Sequence, residues 1–151
     1  MDSCCQTSIE NPTTTNLCPV CKQKGKSVQL ITLKAMLKPA ALERIQPELT
    51  YVFCGNSSCD VVYFSSVQTF SKDMVKVTVF QKDDAVDVPV CYCFGWTRER
   101  LMQADLKSQH PIDHIRDQVQ ANRCGCDVNN PQGACCLGNV TAFIRSYHIL
   151  K

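Results

Sequence analysis

The sequence predicts an α+β protein: a small zinc-ribbon-like β module followed by a helical module. Three observations carry this. Twelve cysteines in 151 residues fall into close pairs that lie far apart in the chain. Up to about residue 82, the apolar runs are short, β-branched and aromatic, as strands require. After Pro89 the apolar period becomes helical. Cys18-Pro-Val-Cys21, Cys54 with Cys59, Cys91-Tyr-Cys93, and the group Cys124, Cys126, Cys135 and Cys136 hold ten of the twelve cysteines. Thiolates are soft ligands for Zn²⁺, Cu(I) or iron–sulfur clusters. A chain that gathers them this way is expected to be built around metal.

A disulfide-stapled secreted domain is the competing reading. It needs an export signal and an oxidising compartment. Met1 to Leu17 is polar, with Asp2, Glu10 and Thr13-Thr14-Thr15, and has neither a basic start nor an apolar core. The expectation is no signal peptide, a cytoplasmic location and reduced thiols. No run approaches the roughly 18 apolar residues of a membrane span, so no membrane insertion is expected. Net charge is +2, with Lys22, Lys24 and Lys26 beside the CxxC, which is too little to argue for nucleic acid. No Ser/His/Asp set, phosphate loop or dinucleotide motif marks a classical enzyme.

In chain order, residues 1–16 read as a disordered tail. Ser27 to Leu33 reads as a strand or buried extended segment, and Pro39 to Ile45 as a short helix with proline in its first turn. Thr50 to Phe53 and Val61 to Phe64 read as strands, and Val75 to Phe80 alternates like a half-buried one. Lys82, Asp83, Asp84 and Asp87 make a polar connector, which divides a module at 17–82 from one at 88–151. Thr97 caps a helix running to about Leu106, with Glu99 in its first turn. Pro111 opens a helix carrying Ile112, Ile115 and Val119. Arg123 to Ala134 is a loop, and a last helix starts at Cys136 or Leu137. His110, His114 and His148 read as ordinary surface residues.

Cys18, Cys21, Cys54 and Cys59 spell C-x2-C, 32 residues, then C-x4-C. Two strand-end turns, each presenting two thiolates, make the tetrahedral cage that Zn²⁺ favours, although an S₄ site can also hold iron. Such a site has no open position and reads as structural. Its formal charge of about −2 calls for N–H groups and cations, and Lys22 and Lys24 are the expected ones.

Cys91-x-Cys93 is not a usual zinc spacing. Pro89-Val-Cys-Tyr-Cys-Phe-Gly-Trp-Thr, two helices, and a Gly- and Cys-bearing loop before a final helix resemble a BFD-type [2Fe-2S] domain, the bacterioferritin-associated ferredoxin fold. With Cys18-Pro-Val-Cys21, Tyr51-Val-Phe-Cys54, Cys59-Asp-Val-Val-Tyr-Phe64 and Asn130-Pro-Gln-Gly-Ala-Cys-Cys136, the arrangement over about 17–147 resembles the N-terminal region of CopZ-type copper chaperones. The resemblance implies a zinc at Cys18, Cys21, Cys54 and Cys59. It implies a [2Fe-2S] cluster at Cys91, Cys93, Cys126 and one of the final pair, taken as Cys136, with Cys124 and Cys135 as the neighbouring alternatives. Helix N-termini after Cys93 and near Cys136 are expected to offer N–H groups to that anionic cluster, shielded by Phe94 and Trp96.

CopZ chaperones of this type also carry a C-terminal ferredoxin-like domain with its own CxxC, for which the residues up to Lys151 show no counterpart. Cys4-Cys5, a vicinal pair, is a candidate capture site for Cu(I) or another soft ion. The expected function is metal trafficking or resistance, with a redox-active cluster able to reduce a captured ion. The expected partners are metal ions and a metal-transport ATPase or redox protein. A small ferredoxin-like electron carrier without a copper role is the alternative. A regulatory zinc protein whose second cysteine set also takes zinc is a third reading.

Overall fold

The computed structural model describes residues 16–104 and 106–150. A four-stranded antiparallel sheet runs in chain order, from β1 (Lys26–Val28) through β2 (Tyr51–Phe53) and β3 (Val61–Phe64) to β4 (Thr69–Ser71). β2 and β3 are buried along their whole length. Side chains alternate across a strand, so β2 serves two clusters. Tyr51 and Phe53 join Leu33, Met36, Leu37, Tyr63 and Phe70 in the main core. Val52 and Cys54 join Cys18, Cys59, Val61 and Phe64 on the other face. Strand alternation is thus what aims Cys54 away from the main core.

The extended segment expected at Ser27–Leu33 is corrected. The strand ends at Val28, and a helix, α1 (Leu30–Met36), takes over. Leu33, Met36 and Leu37 sit at i, i+3 and i+4 and are buried together, a helical stripe that the neighbouring β-branched Ile31 and Thr32 obscured. The short helix with proline in its first turn is present as α2 (Pro39–Leu42).

The strand expected at Val75–Phe80 is also corrected. Its alternation is real in burial: Val75 and Val79 are in the core and Val77 packs against it. Among the described residues only one bridge forms, Leu37 to Val75, and single-turn 3₁₀ helices at Lys72–Met74 and Phe80–Lys82 bound the segment. A period of two reports which face is buried and says nothing about a pairing partner. β4, which the pattern did not suggest, takes the sheet edge instead.

Beyond residue 88, a two-stranded hairpin, β5 (Pro89–Cys91) with β6 (Trp96–Thr97), leads into α3 (Arg98–Gln103), α4 (Pro111–Gln120), α5 (Cys126–Asn129) and α6 (Leu137–Leu150). Thr97 caps α3 as expected, its hydroxyl oxygen accepting from the Arg100 N–H at 3.1 Å. The residues read as a loop before the last helix include the single turn of α5. Val90, Cys91, Trp96, Leu101, Ile115, Cys136 and Val140 form this part's core.

Polar contacts join the two parts. The Thr32 hydroxyl donates to the Asp127 carbonyl at 2.7 Å, and the Tyr63 hydroxyl to the Pro131 carbonyl at 2.5 Å. Among the described residues, no helix is long and apolar enough to cross a membrane.

Candidate metal centres

The first centre is assembled by two turns. In the first, Lys22 N–H donates to the Cys18 carbonyl at 2.9 Å and Cys18 N–H to the Gln23 carbonyl at 3.0 Å. The chain then turns back through Lys22 at φ +65°. In the second, Cys54 N–H bonds the Val62 carbonyl at 2.8 Å, continuing the β2–β3 ladder, and Cys59 N–H closes on the Asn56 carbonyl at 3.1 Å. The Sγ atoms of Cys18, Cys21, Cys54 and Cys59 then lie within 4.8 Å of one another. Cys18 and Cys59 are 3.9 Å apart, and Cys21 and Cys54 3.6 Å. Zn–S bonds of about 2.3 Å in a tetrahedron put the sulfurs roughly 3.8 Å apart, so the donor set fits that ion. Cys18, Cys54 and Cys59 are buried and Cys21 is partly exposed.

The thiols differ in acidity. The Asn56 side chain, then the Gln23 backbone, hold Cys21 down at about 6. Burial pushes Cys54 up to about 12 and raises Cys59 as well. A metal would displace the protons that burial retains.

The cation beside these sulfurs is not the one expected. Lys22 and Lys24 are solvent-exposed. Lys82, assigned from sequence to the polar connector, is 7% exposed. Its Nζ lies 3.9 Å from Cys54 Sγ and donates to the carbonyls of Asn56 at 2.7 Å and Cys59 at 2.9 Å. No local motif marks Lys82. Its one signal was a lysine at the start of an acidic run.

The second centre is less compact. Cys93 and Cys126 Sγ are 3.6 Å apart. Cys136, 1% exposed, reaches both Cys91 and Cys126. Cys135 touches Cys126 from a half-buried position. Cys124 is half-buried beside Gly125. The sulfurs therefore run in a chain from Cys93 through Cys126 and Cys136 to Cys91. The hydrogen bonds from Cys126 and Cys91 hold the Cys136 thiol down at about 4, and a bond from Cys126 holds Cys93 at about 6. Their partners Cys126 and Cys91 are pushed up.

The helix expected after Cys93 is the Thr97-capped α3, but the donors to the Cys93 sulfur are not its N-terminal N–H groups. Residues 92–95 form the hairpin turn, with Gly95 at φ +70°, and the next helix begins only at Arg98. The donors to Cys93 come from elsewhere: Gly125 N–H at 3.2 Å and the Asn129 amide at 3.6 Å. Leu137 N–H, at the start of α6, lies 3.5 Å from Cys135 Sγ. Trp96 is buried beside Cys91 and Cys136, with Phe94 packed against them. Its indole N–H donates to Nδ1 of the exposed His114 at 3.1 Å. Cys4 and Cys5 lie outside the described residues.

Comparison with known proteins bears on the first centre. A family model described as a zinc binding domain, of CopZ type, matches residues 15–76. The copper chaperone CopZ of Archaeoglobus fulgidus is 32% identical over 123 residues, 79% of this chain. The chain spans 57% of that relative's length. The X-ray structure of the Archaeoglobus fulgidus CopZ N-terminal domain superposes with a TM-score of 0.70 at 30% identity. That superposition covers 83% of this chain and 95% of the domain. The chain belongs to the family of the CopZ N-terminal domain.

Proposed function

We propose that this chain is a metal-handling protein of CopZ type. In this reading Cys18, Cys21, Cys54 and Cys59 hold one structural Zn²⁺. Cys91, Cys93, Cys126 and Cys136, within a module at 88–151, hold a [2Fe-2S] cluster. The observation that carries it is the closed four-sulfur cage, all Sγ within 4.8 Å, in residues that match a zinc-binding family. A [2Fe-2S] cluster would supply one-electron transfer. The chain's own residues would bind and tune it. Gly125 N–H and the Asn129 amide point at Cys93 Sγ, and donors to sulfur stabilise added negative charge. Cys136 is favoured over Cys135 because it reaches two other sulfurs and is the more buried.

Copper enters through the relative's name. Cu(I) or another soft ion is the proposed cargo, with a metal-transport ATPase or a redox protein as the proposed partner. A cytoplasmic location is part of the proposal, because thiols that are to bind metal must stay reduced. A one-electron carrier without a copper role is the second reading. The half-buried edge at Cys93 and Cys135, open to a partner, favours it.

The test is metal content. Anaerobically purified protein, expressed with ample iron, is expected to hold one zinc and two irons per chain. Cys91→Ser is expected to lose the iron and the visible absorbance and to keep the zinc. Zinc alone in the wild type would remove the cluster, and zinc loss with iron retained in Cys91→Ser would reverse the two sites.

A further inference from the structure

Lys82 is a buried lysine with no carboxylate partner among the described residues. Among the described residues the salt bridges are Lys72 with Asp60 and Arg116 with Asp113, both on the surface. The adjacent Asp83 caps its own turn, its carboxylate accepting from Ala85 N–H at 2.9 Å. A charge removed from water needs a counter-charge as well as hydrogen bonds. The hydrogen bonds are the Asn56 and Cys59 carbonyls. What remains in reach is the Cys54 sulfur, 3.9 Å away. On the other side of the same contact, four thiolates around a divalent ion carry a formal charge of about −2. Cys18, Cys54 and Cys59 are buried where water cannot screen it.

We propose that Lys82 is the resident counter-ion of the four-cysteine site, offsetting the negative charge that the four sulfurs carry around a divalent ion. The proposal rests on the reading that these cysteines bind such an ion. Two consequences follow from where Lys82 sits. The matched zinc-binding residues end at 76, so the functional centre extends beyond them, into the 3₁₀ turn Phe80–Lys82. That turn is also bonded to the other part of the chain. Phe80 N–H donates to the Tyr92 hydroxyl at 2.9 Å, between Cys91 and Cys93, and the Arg98 guanidinium donates to the Phe80 carbonyl at 2.9 Å. The counter-ion is thus supplied by the segment that joins the two cysteine sets. Lys82 acts through Cys54 and is a positioning residue.

The test uses the full chain with Co²⁺ as the probe. Cobalt reports the sulfur environment through its sulfur-to-metal charge-transfer bands. Lys82→Gln keeps an amide donor for the two carbonyls and removes the charge. It is expected to weaken Co²⁺ binding about tenfold or more in chelator competition. The charge-transfer band should move to lower energy, because the thiolate electrons are no longer held by a neighbouring cation. Lys82→Arg restores the charge and is expected to return the band to its wild-type position. A Lys82→Gln protein with wild-type band energy and affinity within twofold overturns the proposal. If Lys82→Gln does not fold, Lys82→Met takes its place, removing the charge at similar side-chain length: a shift to lower energy supports the counter-ion role and an unmoved band overturns it. A wild-type protein that takes up no Co²⁺, or takes up as much when Cys54 is changed to Ser, overturns the divalent-ion reading and this proposal with it. Binding by the wild type with an indifferent Lys82→Gln overturns this proposal only.

Discussion

Asn56 shows how one side chain shapes the chemistry of a site to which it lends no ligand. Its side chain, the largest influence on Cys21, holds that thiol near 6, well below the ordinary value of 9.0. The lowered pKa has a definite sign for stability in the metal-free protein. The contribution of Cys21 to stability is complete above the ordinary thiol range and is lost as pH falls through about 6. The same shift sets reactivity, because the thiolate is the nucleophile. Alkylation of Cys21 in the metal-free protein, followed by peptide mass spectrometry, is expected to show a midpoint near pH 6. Asn56→Ala is expected to move that midpoint upward. A midpoint that stays put would exclude Asn56 as the cause. Cys21 and the other cysteines were legible in the sequence, since spacing alone picks out a CxxC. Asn56 and Lys82 were not, because what makes each matter is a neighbour brought in by folding.

At the scale of elements, the first metal turn depends on close packing against β2. Gly25 follows the Cys18–Cys21 turn, and its N–H closes on the Asn16 carbonyl at 2.7 Å. A Cβ built there would stand 2.3 Å from the Phe53 carbonyl oxygen and 2.7 Å from Val52 Cγ1. The backbone oxygen cannot swing aside as a side chain can. Gly25→Ala is therefore expected to push β1 off β2, costing about 2 kcal/mol or more, and to displace Cys18 and Cys21 relative to Cys54. Chemical denaturation together with zinc affinity checks this, and a variant unchanged in both would contradict the packing argument. Elements with strong local signals matched expectation: β2, β3, the proline-led helices α2 and α4, and the Thr97 cap. The misses at α1 and Val75–Phe80 share a cause. Short apolar runs state how much is buried on each face, while helix or strand is decided by the neighbour that covers them.

Across the molecule, the two cysteine sets are joined by buried polar contacts rather than by a free linker. Tyr63 is fully buried in the sheet, and its hydroxyl reaches the Pro131 carbonyl, in the loop leading to Cys135 and Cys136. Gln81 and Gln132 pair across the same junction at 2.6 Å. Tyr63→Phe removes the donor and leaves a buried carbonyl unpaired, an expected loss of about 1–3 kcal/mol. If the parts fold as one cooperative unit, a single thermal transition moves down as a whole. Two separated transitions, with only one displaced, would show that the parts melt independently.

Sequence alone determined the two groups of cysteines, the order of a β-rich part before a helical one, and the family resemblance that the comparisons bear out for the CopZ domain. These are readable because ligand spacing, strand alternation and helix caps are local in the chain. The tertiary structure decided the rest. It set Lys82 against Cys54 across 28 positions, brought Cys136 between Cys91 and Cys126, and made the donors to Cys93 come from Gly125 and Asn129. The physical reason is common to all three. A buried charge or sulfur is satisfied by whatever group the fold brings within about 4 Å, and chain spacing carries no record of that distance.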